Sequence, residues 1–219
     1  MEFKKGITSL LVLIGVFASS VLAQQPASDF QTFGIDSENS ILRIYVGRAG
    51  PLARMGHNHV VHTRDLSGEI NLAEDPVDST ASFSFPISSF IVDDQSERDR
   101  AGEGFDSQPG RRAIEGTREN MLSEAVLNAA VFSMIAADIN TISVTDSEWN
   151  FAIALDLKGN AVNLELPAEV TINDSEIIID ARFTLNHSDI GLSVFTALGG
   201  SLSVAEALDF DLHIEASVN

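Results

Sequence analysis

The stretch Leu208-Asp209-Phe210-Asp211-Leu212-His213-Ile214-Glu215 decides the fold. Apolar and polar residues alternate in it without a break, so an extended chain would be apolar on one face and wet on the other. The same period of two recurs upstream. Ala181, Phe183 and Leu185 alternate with Arg182 and Thr184, and Val162, Leu164 and Leu166 alternate with Asn163 and Glu165, ahead of Val170 and Ile172. Trp149, Phe151, Ile153 and Leu155 alternate with Asn150, Ala152, Ala154 and Asp156. Phe83, Phe85 and Ile87 alternate with Ser82, Ser84 and Pro86, Ile70 and Leu72 share a face, and Ile41 to Val46 is rich in strand formers. Turn formers separate the runs: Asp75-Pro76, Lys158-Gly159-Asn160, Asn173-Asp174-Ser175 and Gly199-Gly200. At least eight short strands at hairpin spacing predict an all-β antiparallel fold. A single sheet that is apolar on one face hides its edges by closing, so the expected architecture is an eight-stranded barrel.

Composition narrows the chemistry. The 219 residues are 44% hydrophobic and 21% charged, too apolar for a disordered chain despite a net charge of −19. With no cysteine there is no disulfide framework, cysteine zinc site, iron–sulfur cluster, thiol nucleophile or lipidated N-terminal cysteine. Only three lysines occur, and the acidity excludes nucleic acid as a partner, because phosphate neutralisation needs clustered Lys and Arg. Two of the lysines, Lys4 and Lys5, open a secretory signal pattern: a short basic region, an apolar run from Ile7 to Phe17, then Val21 and Ala23 as small-side cleavage residues before Gln24. The expected organisation is a signal peptide over 1–23 and one domain over 24–219, in the bacterial periplasm or secreted. No later stretch is apolar and long enough to span a bilayer. The mature chain would carry 31 acidic against 11 basic residues, a net −20, and would be repelled by anionic surfaces. The oligomeric state is not readable, and a dimer is left open.

One region breaks the alternation. Asp93 to Arg118 is dense in charge and glycine, and the spacing of Met121, Leu122, Ala125, Val126 and Ala129 predicts a helix over 117–130, with Thr117 as its N-cap. An excursion this long in a compact domain is either a lid or a solvated connection. The segment 93–130 is the candidate lid.

The densest constellation is Gly56-His57-Asn58-His59-Val60-Val61-His62, with three of the five histidines. On a strand, His57 and His59 share one face and His62 takes the other. Two imidazoles at that spacing could hold a metal or haem, with further ligands from His187, His213 or a carboxylate, although a structural zinc needs four. They could equally contact a polar head group, helped by the Arg54 cation, or be structural. These three readings stay open at this level. Asn186-His187-Ser188-Asp189 contains Ser, His and Asp but not the geometry of a triad. There is no Gly-x-Ser-x-Gly elbow, Walker loop or Gly-x-Gly-x-x-Gly loop, so the expectation is a protein that is not an enzyme.

The order of motifs resembles the YceI-like family, lipocalin-like periplasmic proteins associated with long-chain and polyisoprenoid lipid binding. Phe33-Gly34-Ile35-Asp36 to Val46 resembles its opening strand, and Asp65-Leu66-Ser67-Gly68-Glu69-Ile70 its Phe-x-Gly-x-Leu strand. Asn120-Met121-Leu122 to Ile135 resembles the approach to its next strand, and Leu155-Asp156-Leu157-Lys158-Gly159 its hairpin. Phe183-Thr184-Leu185-Asn186-His187-Ser188-Asp189-Ile190-Gly191 resembles its Phe-x-Ile-x-Arg-Ser-Asp-Phe-Gly stretch. Two positions depart: Lys158 stands for a common His, and His187 for the usual Arg. The Gly-His-Asn-His stretch marks a subgroup. The resemblance implies a lipocalin-like barrel that binds, stores or transports an isoprenoid-type lipid. The lumen candidates are Phe83, Phe85, Phe132, Trp149, Phe151, Phe183 and Phe210, with Arg54, His57 and His59 as head-group contacts. The alternative is a redox-associated module in which His57 and His59 hold metal or haem.

Overall fold

The computed structural model describes residues 30–146 and 148–218; the expected signal segment 1–23 and its cleavage junction lie outside them. Twelve strands form one continuous sheet: β1 (Gln31–Ile35), β2 (Ile41–Ala49), β3 (His59–Thr63), β4 (Ser67–Leu72), β5 (Thr80–Pro86), β6 (Ile91–Val92), β7 (Met134–Thr145), β8 (Glu148–Leu157), β9 (Asn160–Ile172), β10 (Glu176–Asn186), β11 (Thr196–Ala197) and β12 (Leu202–Val218). Two helices, α1 (Gln95–Ala101) and α2 (Arg111–Leu122), lie between β6 and β7.

Three pairs of short strands are halves of longer ones. β1 and β2 both pair with β12, with a turn at 36–40 between them, so the register moves from Ile35↔Ala216 to Ile41↔His213. β3 and β4 then follow along β2 and β1, and β6 and β5 along β3 and β4. Counted this way, eight antiparallel strands meander in chain order, and β12 returns to pair with β1 and close the barrel. The longest ladder, β10 with β12, runs from Glu176↔Ser217 to Asn186↔Ala207. Between the eight merged strands the shortest is β9 with β10, paired only from Glu169↔Asp180 to Ile172↔Ile177.

Closure follows from the alternation. Ile153, Leu155, Leu164, Leu166, Phe183, Leu185, Phe210 and Leu212 point inward while their chain neighbours face solvent. Phe33, Ile70, Trp149, Val170, Ile177 and Ala216 pack together and close one end of the barrel. A second cluster, built on Phe85, Ile87, Phe90, Leu127, Ile135 and Ile190, fills the other end beneath α2. Burying each such side chain is worth about 1.5–3 kcal/mol, which is why the inward positions and not the turns specify the fold. Gly68 is held at φ +152 where β4 crosses β5, and a Cβ there would meet the Ser82 carbonyl at 2.0 Å.

The helical expectation needs two corrections. The helix expected over 117–130 occupies Arg111–Leu122, with Gly110 and not Thr117 at its N-cap. Beyond Ser123 the chain folds in turns, with Asn128 at φ 49, and Val126 and Ala129 reach the core without being helical. The region read as an irregular excursion also holds a second helix, α1, whose N-cap Asp94 accepts from the Ser96 amide. Among the described residues no helix is long and apolar enough to cross a membrane.

Candidate functional site

The inward side chains do not fill the barrel. They enclose a cavity of about 470 Å³, within the range of roughly 300–1,000 Å³ common for small-molecule sites. Its wall is almost entirely hydrocarbon and aromatic. Of the seven aromatic residues expected in the lumen, Phe83, Phe85, Trp149, Phe151, Phe183 and Phe210 border it. Phe183 and Phe210 stack across the β10–β12 ladder with ring centroids 4.9 Å apart, and Trp149 lies 6.0 Å from Phe151. Phe132 is the exception. It falls in the turn before β7, and its ring lies against Gly159 on the hairpin between β8 and β9.

A few hydroxyls, of Ser79, Thr80 and Thr141, lie toward the Trp149 end of the cavity, and the imidazole and guanidinium groups gather at the other. His57 and His59 border it there, as do Arg48, His187 and, from α2, Thr117 and Asn120. β3 begins only at His59, yet the i, i+2 spacing still turns both imidazoles inward, with ring centroids 6.3 Å apart. His62 points outward, as the alternation requires. Arg54 is exposed on the short turn Ala53–Met55 and does not border the cavity. His213 is also on the outer face, between Asp180 at 2.7 Å and Glu215 at 3.3 Å. Its partial burial disfavours the charged ring, but the two carboxylates outweigh that and raise its pKa above the ordinary imidazole value. His187, not singled out for the lumen, donates through Nδ1 to the Glu206 carbonyl, 2.9 Å away. Its place at the end of an alternating strand is the signal that could have found it.

His59 is held from outside the barrel. Its Nδ1 lies 2.6 Å from Asp93 Oδ2, while Asp93 Oδ1 accepts from the Val60 amide and from Arg98. Burial pushes the Asp93 carboxyl toward its neutral form, but the bonds from His59, Val60 and Arg98 win and hold its pKa below the ordinary carboxylate value. An ionised carboxylate only accepts, so Nδ1 of His59 carries the hydrogen and Nε2 is the nitrogen left toward the cavity. Arg98 is 1% exposed and also donates to the carbonyls of Asn58, Phe105 and Ser107. α1 is thereby strapped over the outer face of β2 and β3, where Arg43 meets Glu97 at 2.5 Å. His62 lies beneath it with Nδ1 unpartnered, and its burial lowers its pKa despite Glu97 and Asp94 nearby.

An imidazole whose Nδ1–H is held by a carboxylate presents Nε2 as an acceptor, which can serve a metal or a ligand donor equally well. Among the described residues, however, no three His, Asp or Glu side chains stand together as a metal would need. What the arrangement does provide is an apolar chamber with imidazole and guanidinium groups at one end.

Comparison with known proteins agrees with this architecture. The sequence model of the YceI-like domain matches residues 33–216. Among solved structures, BcnA from Burkholderia cenocepacia superposes with a TM-score of 0.60 at 12% identity, covering 84% of this chain and 99% of BcnA. The Campylobacter jejuni YCEI protein superposes at 0.51 and 11% identity, covering 73% of this chain and 84% of its own. A cysteine mutant of that protein has been solved with a monobromobimane guest, at 0.51 and 10% identity, with the same coverage of 73% and 84%. At these identities the likeness is one of fold. A search of curated proteins gives no match.

Proposed function

The chain belongs to the YceI-like domain family, and from that premise we propose that it binds a long-chain, isoprenoid-type lipid inside its barrel, to store or carry it in the bacterial periplasm. The observation that carries this reading is the cavity: about 470 Å³, walled by apolar side chains from nearly every strand, with its imidazole and guanidinium groups at one end. The tail would lie along Phe83, Phe85, Trp149, Phe151, Phe183 and Phe210. The head group would meet His57, His59, Arg48 and His187. Each isoprene unit buries about four to five carbons at about 0.8 kcal/mol each, so a tail of several units needs no strong polar anchor. No chemical step is part of this role, and α2, which lends Thr117, Asn120 and Met121 to the wall, would act as the cover.

Displacement of a fluorescent isoprenoid-chain probe tests the reading. Phe151→Arg places a guanidinium in the apolar chamber and should weaken binding at least tenfold, whereas His57→Ala/His59→Ala should change it less than about threefold. The reverse order would favour a histidine-held metal or haem instead.

A further inference from the structure

The two loops at the rim of the polar end have an unusual composition. In a chain with 32 acidic residues, the two longest carboxylate-free stretches after Asp29 are 39–64 and 190–205. They are far apart in sequence and meet at one place. The Leu52 amide donates to the Ser201 carbonyl at 2.9 Å and Gly56 packs on Leu202, while within the second loop the Ser201 amide closes a turn on the Leu198 carbonyl. This joint rim displays Met55, 70% exposed, Leu198, 63% exposed, and Leu52, with the exposed cations Arg48 and Arg54 beside them. Arg48, Gly56, His57 and Leu202 also border the cavity, so the rim is its doorway.

The opposite end is the reverse. The turns there carry Glu74, Asp75, Asp78, Asp146, Glu148, Asp174 and Glu176, with no Lys or Arg in 67–97, 140–157 or 159–181. Trp149 and its neighbours close that end.

We propose that the rim formed by 48–56 and 196–203 docks this protein on the surface of an anionic phospholipid bilayer, with Met55, Leu198 and Leu52 entering the interface and Arg48 and Arg54 meeting the phosphates. Apolar tips flanked by arginine fit such a surface: the tips gain by leaving water, and the guanidinium forks match phosphate oxygens. The net charge does not prevent it. β8 alone spans about 33 Å, about 25 Å along the axis once strand tilt is allowed, and charges are screened beyond about 8 Å at physiological salt. The acidic end is therefore not felt at the membrane when the rim is docked, while its repulsion on close approach disfavours the inverted orientation. Docking rests on the surface pattern; the lipid-binding reading only gives it a purpose, because a cargo could then pass without crossing water.

The test is co-sedimentation of the purified protein with vesicles of phosphatidylcholine alone or with about 30% phosphatidylglycerol, a composition that sets a negative surface potential. Every variant carries the same N-terminus, so the comparison is internal. The wild type should bind the anionic vesicles, and Met55→Asp/Leu198→Asp should bind at least tenfold more weakly. Arg54→Gln should lose about fivefold on anionic vesicles and nothing on neutral ones, in line with the attraction of one surface cation. Val77→Asp, an exposed apolar residue at the acidic end, should change nothing. Equal binding by wild type and the Met55/Leu198 variant, or an equal loss in Val77→Asp, overturns the proposal. Extraction of the same samples for lipid reads the cargo separately, so an empty barrel that still docks would refute carriage and leave docking standing.

Discussion

Arg98→Met is the substitution whose effect the structure sets most closely. Arg98 and Asp93 are both out of water, with side chains 1% and 0% exposed, so their pairing is not screened. Removing one partner of a buried pair leaves the other charge uncompensated, at about 3–5 kcal/mol. The carbonyls of Asn58, Phe105 and Ser107 also lose their donor, but these bonds are only part-buried, so water replaces it at little cost. Met keeps the apolar stem, so packing loss is small. A total near 4 kcal/mol is expected, and at about 2–4 °C per kcal/mol for a domain of this size the melting temperature should fall by about 8–16 °C. Trp149 is the only tryptophan and is buried at the far end of the barrel, so its fluorescence reports global unfolding, while proteolysis between 102 and 107 reports local release of the strap. Asp93→Asn/Arg98→Met should recover part of the loss, because the stranded carboxylate is then neutral. A single Arg98→Met protein that melts within about 2 °C of wild type, with unchanged proteolysis, would refute the reasoning.

Gly68→Ala should destabilise by about 3 kcal/mol in urea denaturation, since a Cβ cannot coexist with the Ser82 carbonyl and the φ disfavours any side chain. The two perturbed histidines should act in opposite pH windows. His213 has a raised folded-state pKa, so its contribution is complete below about pH 6.5 and fades as pH climbs through that raised value; His213→Gln should flatten this decline. His62 has a lowered one, so its contribution holds above about pH 6.5 and fades as the unfolded chain takes up protons below it; His62→Gln should flatten the acid side. Denaturation midpoints that superimpose on wild type across about pH 5–8 would contradict both.

Most of the barrel is legible in the sequence because inward positions are large and apolar. Where that contrast fails, so does the reading. β7 turns Ile135, Ala137, Ile139 and Thr141 inward, and a small and a polar residue blur its alternation. α1 has no apolar stripe; it is fixed by Glu97 and Arg98, buried charges whose partners are Arg43, distant in sequence, and Asp93, in the bend just before the helix. α2 starts earlier than its apolar stripe, because Gly110 supplies the extended entry while Arg111, Arg112 and Glu115 give an exposed first turn. The inward pair His57 and His59 follows from a spacing of two, but what fixes His59, a carboxylate beyond β6, does not. Phe132 carries the same side chain as the lumen residues and still misses the lumen, since position in a strand and not residue type decides which aromatic residues face the cavity.

The central claim is that the barrel holds a lipid tail. Native mass spectrometry of the protein purified from its own host, followed by organic extraction and metal analysis, tests it most directly. The account predicts a stoichiometric long-chain lipid and no metal, with the lipid lost in Phe151→Arg. A barrel that leaves the cell empty, or one that carries a metal or haem lost on mutating His57 and His59, would contradict it.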